Sequence, residues 1–235
     1  EGNERKVLHD INLTINPGET VAFLGDTGSG KSTLVDLIPR LYEVTSGRIM
    51  LNGIDITKIP RRELRREIAF VFQETVLFSG KISDNIAYGN PDVSLEDIQQ
   101  AADMARVGDF ISTLPDGYDT NLSQMATNLS GGQRQRVAIA RALASGARII
   151  VFDDSTSALD ARTEAAVMKA INDRLKCTKI IIAQKISSVV NSDRIYLLEA
   201  GRVVERGTHG ELMKTSDLYR DIYRSQFGEV GEESA

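Results

Sequence analysis

The chain holds 235 residues, 28 basic and 33 acidic, for a formal charge of −5, which argues against non-specific nucleic-acid binding. With 41% apolar and 26% charged residues the composition is that of an ordinary globular protein, far from the low-hydrophobicity signature of disorder. Its apolar runs, such as Ile149 to Phe152 and Ile180 to Ala183, fall well short of the ~18 residues of a spanning helix, and the single cysteine, Cys177, excludes an internal disulfide and fits a reducing, cytosolic compartment.

The chain begins Glu-Gly-Asn, with no initiator methionine and no leader pattern, and reads as an excised piece of something longer. Val7 to Ile15 and Thr20 to Leu24 predict two strands separated by the turn Asn16-Pro17-Gly18. A glycine-rich loop follows, then a helical periodicity over Ser32 to Leu41. Asn52-Gly53 between Arg48-Ile-Met-Leu51 and Ile54-Asp-Ile56 predicts a hairpin. The mixed-sign run Arg61 to Glu67 reads as a solvated helical face, and Ile68 to Phe72 as a buried strand ending at Gln73.

Ser94 with Asp97 starts a helix through Ile98, Ala101, Ala102 and Ala105, with further helical sequence to Leu114, so the middle third reads as a helical insertion. Ser130-Gly-Gly-Gln133 has the spacing of a capping box and opens another helix through Val137, Ile139, Ala140 and Leu143. Strands over Arg148 to Phe152 and Lys179 to Ala183 flank a helix over Thr163 to Leu175, an alternation that predicts a parallel sheet covered on both faces. Arg194 to Glu199 and Arg202 to Glu205 form a second hairpin across Ala200-Gly201, Thr208 and Glu211 cap a terminal helix, and the last residues, Gly-Glu-Glu-Ser-Ala, are expected to fray. His209 reads as a surface residue of that helix start, His9 as a strand residue, and Cys177, with no companion acid–base pair, as no nucleophile.

Gly25-Asp-Thr27-Gly28-Ser29-Gly30-Lys31-Ser32 matches the phosphate-loop pattern, directly after a predicted strand and at the start of a helix. Its glycines let successive N–H groups and the helix dipole face phosphates, Lys31 meets the outer phosphates, and the Ser32 hydroxyl is placed for Mg²⁺, with Thr33 next in the helix. The strand Arg148 to Phe152 ends in Asp153-Asp154, and an acid at the carboxyl end of a buried strand makes Asp153 the metal-side carboxylate. No guanine-reading Asn-Lys-x-Asp element is present, which favours an adenine nucleotide. Leu129-Ser130-Gly131-Gly132-Gln133 makes a second bare helix start, where a capping box explains Ser130 and Gln133 but not two glycines that each cost up to ~1 kcal/mol in a helix.

Together these residues resemble the nucleotide-binding domain of ATP-binding cassette (ABC) transporters over nearly the whole chain. In that resemblance Gln73 is the Q-loop glutamine, Leu129 to Gln133 the signature, Ile149 to Asp153 the Walker B strand and Ser157-Ala-Leu-Asp160 the D-loop; Gln73 to Gly80 looks like the exporter subtype, whose transmembrane segment precedes this domain. The resemblance implies an α/β P-loop NTPase (RecA-like) core over about residues 1–75 and 145–235 with an antiparallel β subdomain, and a helical subdomain over about 76–144. It also implies ATP and Mg²⁺ as ligands, with Ser32, Gln73 and Asp153 arranging the metal. The partners implied are transmembrane domains and a second nucleotide-binding domain paired head to tail, at the cytoplasmic face of a membrane. Soluble DNA-repair or chromosome ATPases with the same motifs insert a coiled coil before the signature, and the roughly 100 residues here show no sustained heptads.

The departures from the family bear on catalysis. The water-polarising glutamate after Walker B is Asp154, and the switch histidine is Gln184. Shortening the side chain by one C–C bond withdraws the carboxylate by roughly 1.5 Å, and a misplacement of ~1 Å costs about 100-fold. Glutamine donates a neutral hydrogen bond but takes up no proton. The pattern is similar to the degenerate half of heterodimeric exporters, in which ATP binds and the partner chain supplies the competent site; a competent homodimer and a non-hydrolysing regulatory module are the alternatives. Glu1 to Lys6 also lacks the adenine-stacking aromatic of the family, and Ser123-Gln-Met-Ala126 stands where Gly-Glu-x-Gly often contacts the membrane helices.

Overall fold

Every side chain of β1 (Thr20–Leu24) is buried, as an apolar run covered on both faces requires. The computed structural model describes residues 6–90, 92–155 and 158–228, and only the backbone of Met125. The expected fraying of residues 231–235, most of the expected non-aromatic stretch 1–6, and Ser157 of the D-loop lie outside the described residues.

Upstream of β1, the strand expected over Val7 to Ile15 is absent. Asp10 adopts a left-handed backbone (φ 52), which interrupts the extended run, and the segment is tied down by a bond from His9 N to Gly201 O (2.8 Å). After the glycine-rich loop, α1 (Lys31–Asp36) is shorter than its periodicity. Pro39 has no N–H to continue the ladder, and Arg40 turns left-handed (φ 54). The hairpin of β2 (Met50–Leu51) and β3 (Ile54–Asp55) forms as expected, with Asn52 (φ 50) and Gly53 (φ 80) in the left-handed conformations of a type I′ turn.

Then come α2 (Arg61–Arg66), which buries only Leu64 among its charges, β4 (Ile68–Val71), β5 (Gly80–Lys81) and α3 (Ile82–Ala87). Next are α4 (Leu95–Met104), capped by Ser94, α5 (Gly108–Ser112), β6 (Asn121–Leu122) and α6 (Gly131–Ala144). The expected helical stretch to Leu114 is broken at Arg106 (φ 56). The chain continues with β7 (Ile149–Asp153), α7 (Ala161–Arg174), β8 (Thr178–Ala183), β9 (Arg194–Glu199) and β10 (Arg202–Gly207). The expected terminal helix is two, α8 (His209–Thr215) and α9 (Asp217–Phe227), divided at Ser216, which caps the second.

The chain divides into two compact units, Glu1–Ile59 with Thr178–Ala235, and Pro60–Cys177. The first contains strands in the order β10-β9-β1-β8, with β1 parallel to both neighbours and β10 antiparallel to β9. Its core is Val21, Phe23, Ile180, Ile182, Ile195 and Leu197, with Phe23 stacked on Tyr196 at 5.5 Å between ring centres. In the second unit β4 runs parallel to β7, and α6 packs against α3 and α4; Val137, Ile139, Ile86 and Ala102 on these helices are all at most 1% exposed. No helix among the described residues is long and apolar enough to cross a membrane.

Candidate functional site

In the first unit, Leu24 of β1 lies opposite Ala183 of the parallel β8. The glycine-rich loop and Gln184 therefore leave the strands side by side at their carboxyl ends, the edge at which open α/β sheets bind ligands. The loop is shaped by backbone crowding. A Cβ on Gly25 would sit 2.2 Å from Leu198 O and 3.0 Å from Ser29 Oγ, and one on Gly30 (φ 103) would sit 2.9 Å from Leu8 Cδ2. Gly28 (φ 82) has open space around it, so only its left-handed backbone asks for glycine. Gly201 N donates to Ser29 O at 2.9 Å, bracing the loop from the turn of the β9–β10 hairpin.

Lys31 is buried, and its Nζ donates to Gly25 O (2.7 Å), Asp26 O (2.8 Å) and Ser29 Oγ (3.4 Å). A buried ammonium needs such oxygens to offset its desolvation. Thr27 and Ser32 are exposed and Thr33 half-buried. No side chain caps α1, whose cap residue is Gly30.

Gln184 is exposed. Its carbonyl accepts from Gln226 Nε2 at 2.7 Å, and Ile186 N donates to Gln226 Oε1 at 2.8 Å. His209, expected at the surface, is half-buried instead: its Nδ1 lies 2.9 Å from the Tyr219 hydroxyl, drawn in by the rings of Tyr219 and Tyr223. Burial pushes the Tyr219 phenol up to about 12.

In the second unit, Val71 of β4 lies opposite Phe152 of β7, which brings Gln73 and Asp153-Asp154 to one strand edge. Ile150, Val151 and Phe152 are buried, while Asp153 and Asp154 are half-buried at the strand's end. Asp154 takes a left-handed backbone (φ 44), a conformation that Asp tolerates better than most residues. Gln73 is exposed. The backbone around it is held from α6: Gln135, 2% exposed, donates through Nε2 to Phe72 O (3.3 Å) and accepts through Oε1 from the Thr75 hydroxyl. The sequence reading did not single out Gln135; its signal is a polar residue among the apolar positions of a buried helix.

At the start of α6 the capping box forms as expected, Ser130 Oγ accepting from Gln133 N (3.2 Å) and Gln133 Oε1 from Ser130 N (2.8 Å). A Cβ on Gly132 would lie 3.4 Å from Ala158 O, whereas one on Gly131 would meet nothing within 4 Å. Internal packing therefore gives no reason for glycine at Gly131. Asp160 caps α7, accepting from Thr163 N (2.9 Å) and the Thr163 hydroxyl (2.7 Å). The Thr163 hydroxyl bond, seconded by the backbone bond, holds its carboxyl below the usual carboxylate range.

Ser32 in the first unit, and Gln73 and Asp153 in the second, each carry a side-chain oxygen of the kind a hard cation such as Mg²⁺ takes, and that ion binds through one or two protein groups plus phosphates and waters. Among the described residues no group of three or more His, Cys, Asp or Glu gathers into a denser cage. The chemistry of each of these side chains taken singly suits magnesium carried in with a nucleotide.

A family model described as ABC transporter matches residues 8–157. The chain is 51% identical over 231 residues to the "uncharacterized ABC transporter ATP-binding protein YfiB" of Bacillus subtilis (strain 168), covering 98% of this chain and 40% of that protein. It is 45% identical over 234 residues to an "ATP-dependent lipid A-core flippase" of Syntrophus aciditrophicus (strain SB), covering 98% of this chain and 39% of that protein. The solved structure of a bacterial Atm1-family ABC exporter with ATP bound superposes with a TM-score of 0.92 at 38% identity, over 98% of this chain and 41% of that one. The chain thus spans about two fifths of the length of these relatives.

Proposed function

Since the chain belongs to the ABC transporter family, we propose that it is the ATP-binding motor domain of an exporter and the degenerate half of a pair with a non-identical partner, at the cytoplasmic face of a membrane. The observation that carries the reading is an intact cradle, Gly25 to Thr33, in a chain whose two hydrolytic positions hold Asp154 and Gln184.

On ATP binding, Lys31 exchanges the carbonyls of Gly25 and Asp26 for the outer phosphate oxygens, and the N–H groups from Thr27 to Thr33 wrap the remainder. Ser32, Asp153 and Gln73 would hold Mg²⁺, which would neutralise phosphate charge. Gln184 donates its amide to the γ-phosphate, and Asp154 occupies the water-polarising position with a carboxylate one bond short. Ser130, Gly131, Gly132 and Gln133 reach the nucleotide in the partner's cradle, the open space around Gly131 leaving room for that approach, and Asp160 fixes the turn that follows Walker B. Closure of the pair is passed through Gln73 and its loop to the membrane helices, which choose the exported substrate.

The test replaces only the partner's catalytic glutamate in the assembled transporter. ATP turnover is expected to collapse; turnover that stays high means that the site of this chain is competent, and the assignment fails.

A further inference from the structure

Gln226 sits in the last turn of α9, more than forty residues after the switch position. A carboxamide carries a donor NH₂ and an acceptor oxygen at fixed spacing, and here both groups are engaged by backbone on either side of Lys185: Nε2 donates to Gln184 O (2.7 Å), and Oε1 accepts from Ile186 N (2.8 Å). The loop is held from its other side by the Ile186 side chain, 1% exposed.

The helix that delivers the amide is itself anchored. Ser216, 2% exposed, accepts from Tyr219 N at 2.8 Å, and Tyr219 is fully buried. Tyr223 packs on Phe227 with ring centres 4.7 Å apart. Gln226, by contrast, is exposed, so packing does not fix its rotamer; its two backbone bonds do. Those bonds set the peptide plane between Gln184 and Lys185, and hence the direction in which the Gln184 side chain leaves the backbone.

We infer that Gln226 is a positioning residue for Gln184: the end of the terminal helix aims the switch amide, and so sets how strongly this cradle prefers ATP to ADP. The inference rests on the reading of Gln184 as the γ-phosphate contact.

The experiment uses the full transporter, with the phosphate-loop lysine of the partner replaced so that only this cradle binds. Affinities for Mg-ATP and Mg-ADP are measured for the unaltered protein, Gln184→Ala, Gln226→Ala, Gln226→Glu and the double variant Gln184→Ala/Gln226→Ala. Gln184→Ala is expected to weaken ATP about 10-fold, the size of one hydrogen bond to a charged group, without changing ADP. Gln226→Ala is expected to weaken ATP by roughly 3- to 10-fold, also without changing ADP, and the double variant to be no worse than Gln184→Ala, because both act through one contact. Gln226→Glu keeps an acceptor for Ile186 N but has no donor for Gln184 O, so it shows the same ATP-specific loss and carries the test if the alanine variant misfolds. Hydrogen exchange at the Ile186 amide is expected to speed up in Gln226→Ala.

Equal weakening of ATP and ADP, additive losses in the double variant, or no change in either Gln226 variant overturns the inference while leaving the Gln184 reading intact. A Gln184→Ala protein that keeps its full preference for ATP overturns that reading, and the inference with it.

Discussion

The glycine-rich loop and the turns that carry Asp154 and Gln184 are held by different kinds of force. At the cradle, backbone meets backbone: Gly25 lies so close to Leu198 O that a Cβ would sit 2.2 Å from it, Ser29 O takes Gly201 N, and Lys31 is buried on carbonyls. At Asp154 and Gln184 the outcome depends on the length and chemistry of one half-buried and one exposed side chain, on turns fixed by a few hydrogen bonds. Steric locks admit almost no variation, whereas a side chain on a fixed turn is exchanged without disturbing the turn. On the proposed reading, two substitutions on such turns would remove catalysis and leave the grip on nucleotide.

The sharpest way to break this contrast is Gly25→Ala. Overpacking costs about 1–3 kcal/mol, and the shift it forces on the loop is expected to weaken ATP binding more than about 100-fold, read by nucleotide titration beside a denaturant melt. A variant that binds ATP normally would show that the cradle is not sterically locked. In the opposite direction, Asp154→Glu with Gln184→His restores reach and imidazole together. Single-turnover hydrolysis at this cradle is expected to rise about 100-fold with ATP affinity unchanged, and an unchanged rate would place the defect elsewhere.

The alkaline stability of α9 sharpens the same contrast, because Tyr219 anchors the helix that holds the switch turn. The Tyr219 phenol is raised from 10.0 to about 12 in the fold, so the unfolded chain loses this proton first. Stability is full below pH ~10 and falls as the pH rises towards 12, by roughly 2–3 kcal/mol for a two-unit shift. Tyr219→Phe is expected to remove that part of the alkaline slope in urea melts from pH 9 to 12.

Smaller effects follow at the second unit. Gln135→Met keeps the volume but abandons the Phe72 carbonyl and the Thr75 hydroxyl, an expected loss of about 1–2 kcal/mol in a denaturant midpoint, with faster amide exchange around Gln73. Gly131→Ala is expected to stabilise the chain by about 0.5–1 kcal/mol, since a Cβ there meets nothing, while lowering ATP turnover by the assembled pair. Unchanged turnover would leave that glycine unexplained.

What could be read from the sequence follows the same division. The glycine-rich loop, the Ser130 and Thr208 capping boxes and the Asn52-Gly53 turn were legible because local chemistry dictates local shape, and each forms as expected. Alternation misled at Val7 to Ile15, where one left-handed residue, Asp10, ends the run. The paired strands β5 and β6 hold two residues each, too few for any periodicity, and α3 is a single short stretch with three buried positions. Gln135 and Gln226 escaped notice because they bond to backbone 63 residues away in one case and 40 and 42 in the other. Nothing in the neighbouring residues announces such partners.

The bond from Gly201 to Ser29 also bears on how the protein is made. In the order of synthesis the phosphate motif precedes the strands beside it, β8 and β9, and the turn that braces it. A nascent chain halted before residue 201 carries every residue of the motif without the scaffold that bends it, so the loop takes its shape only after that turn has been made, and long-range pairing sets its pace.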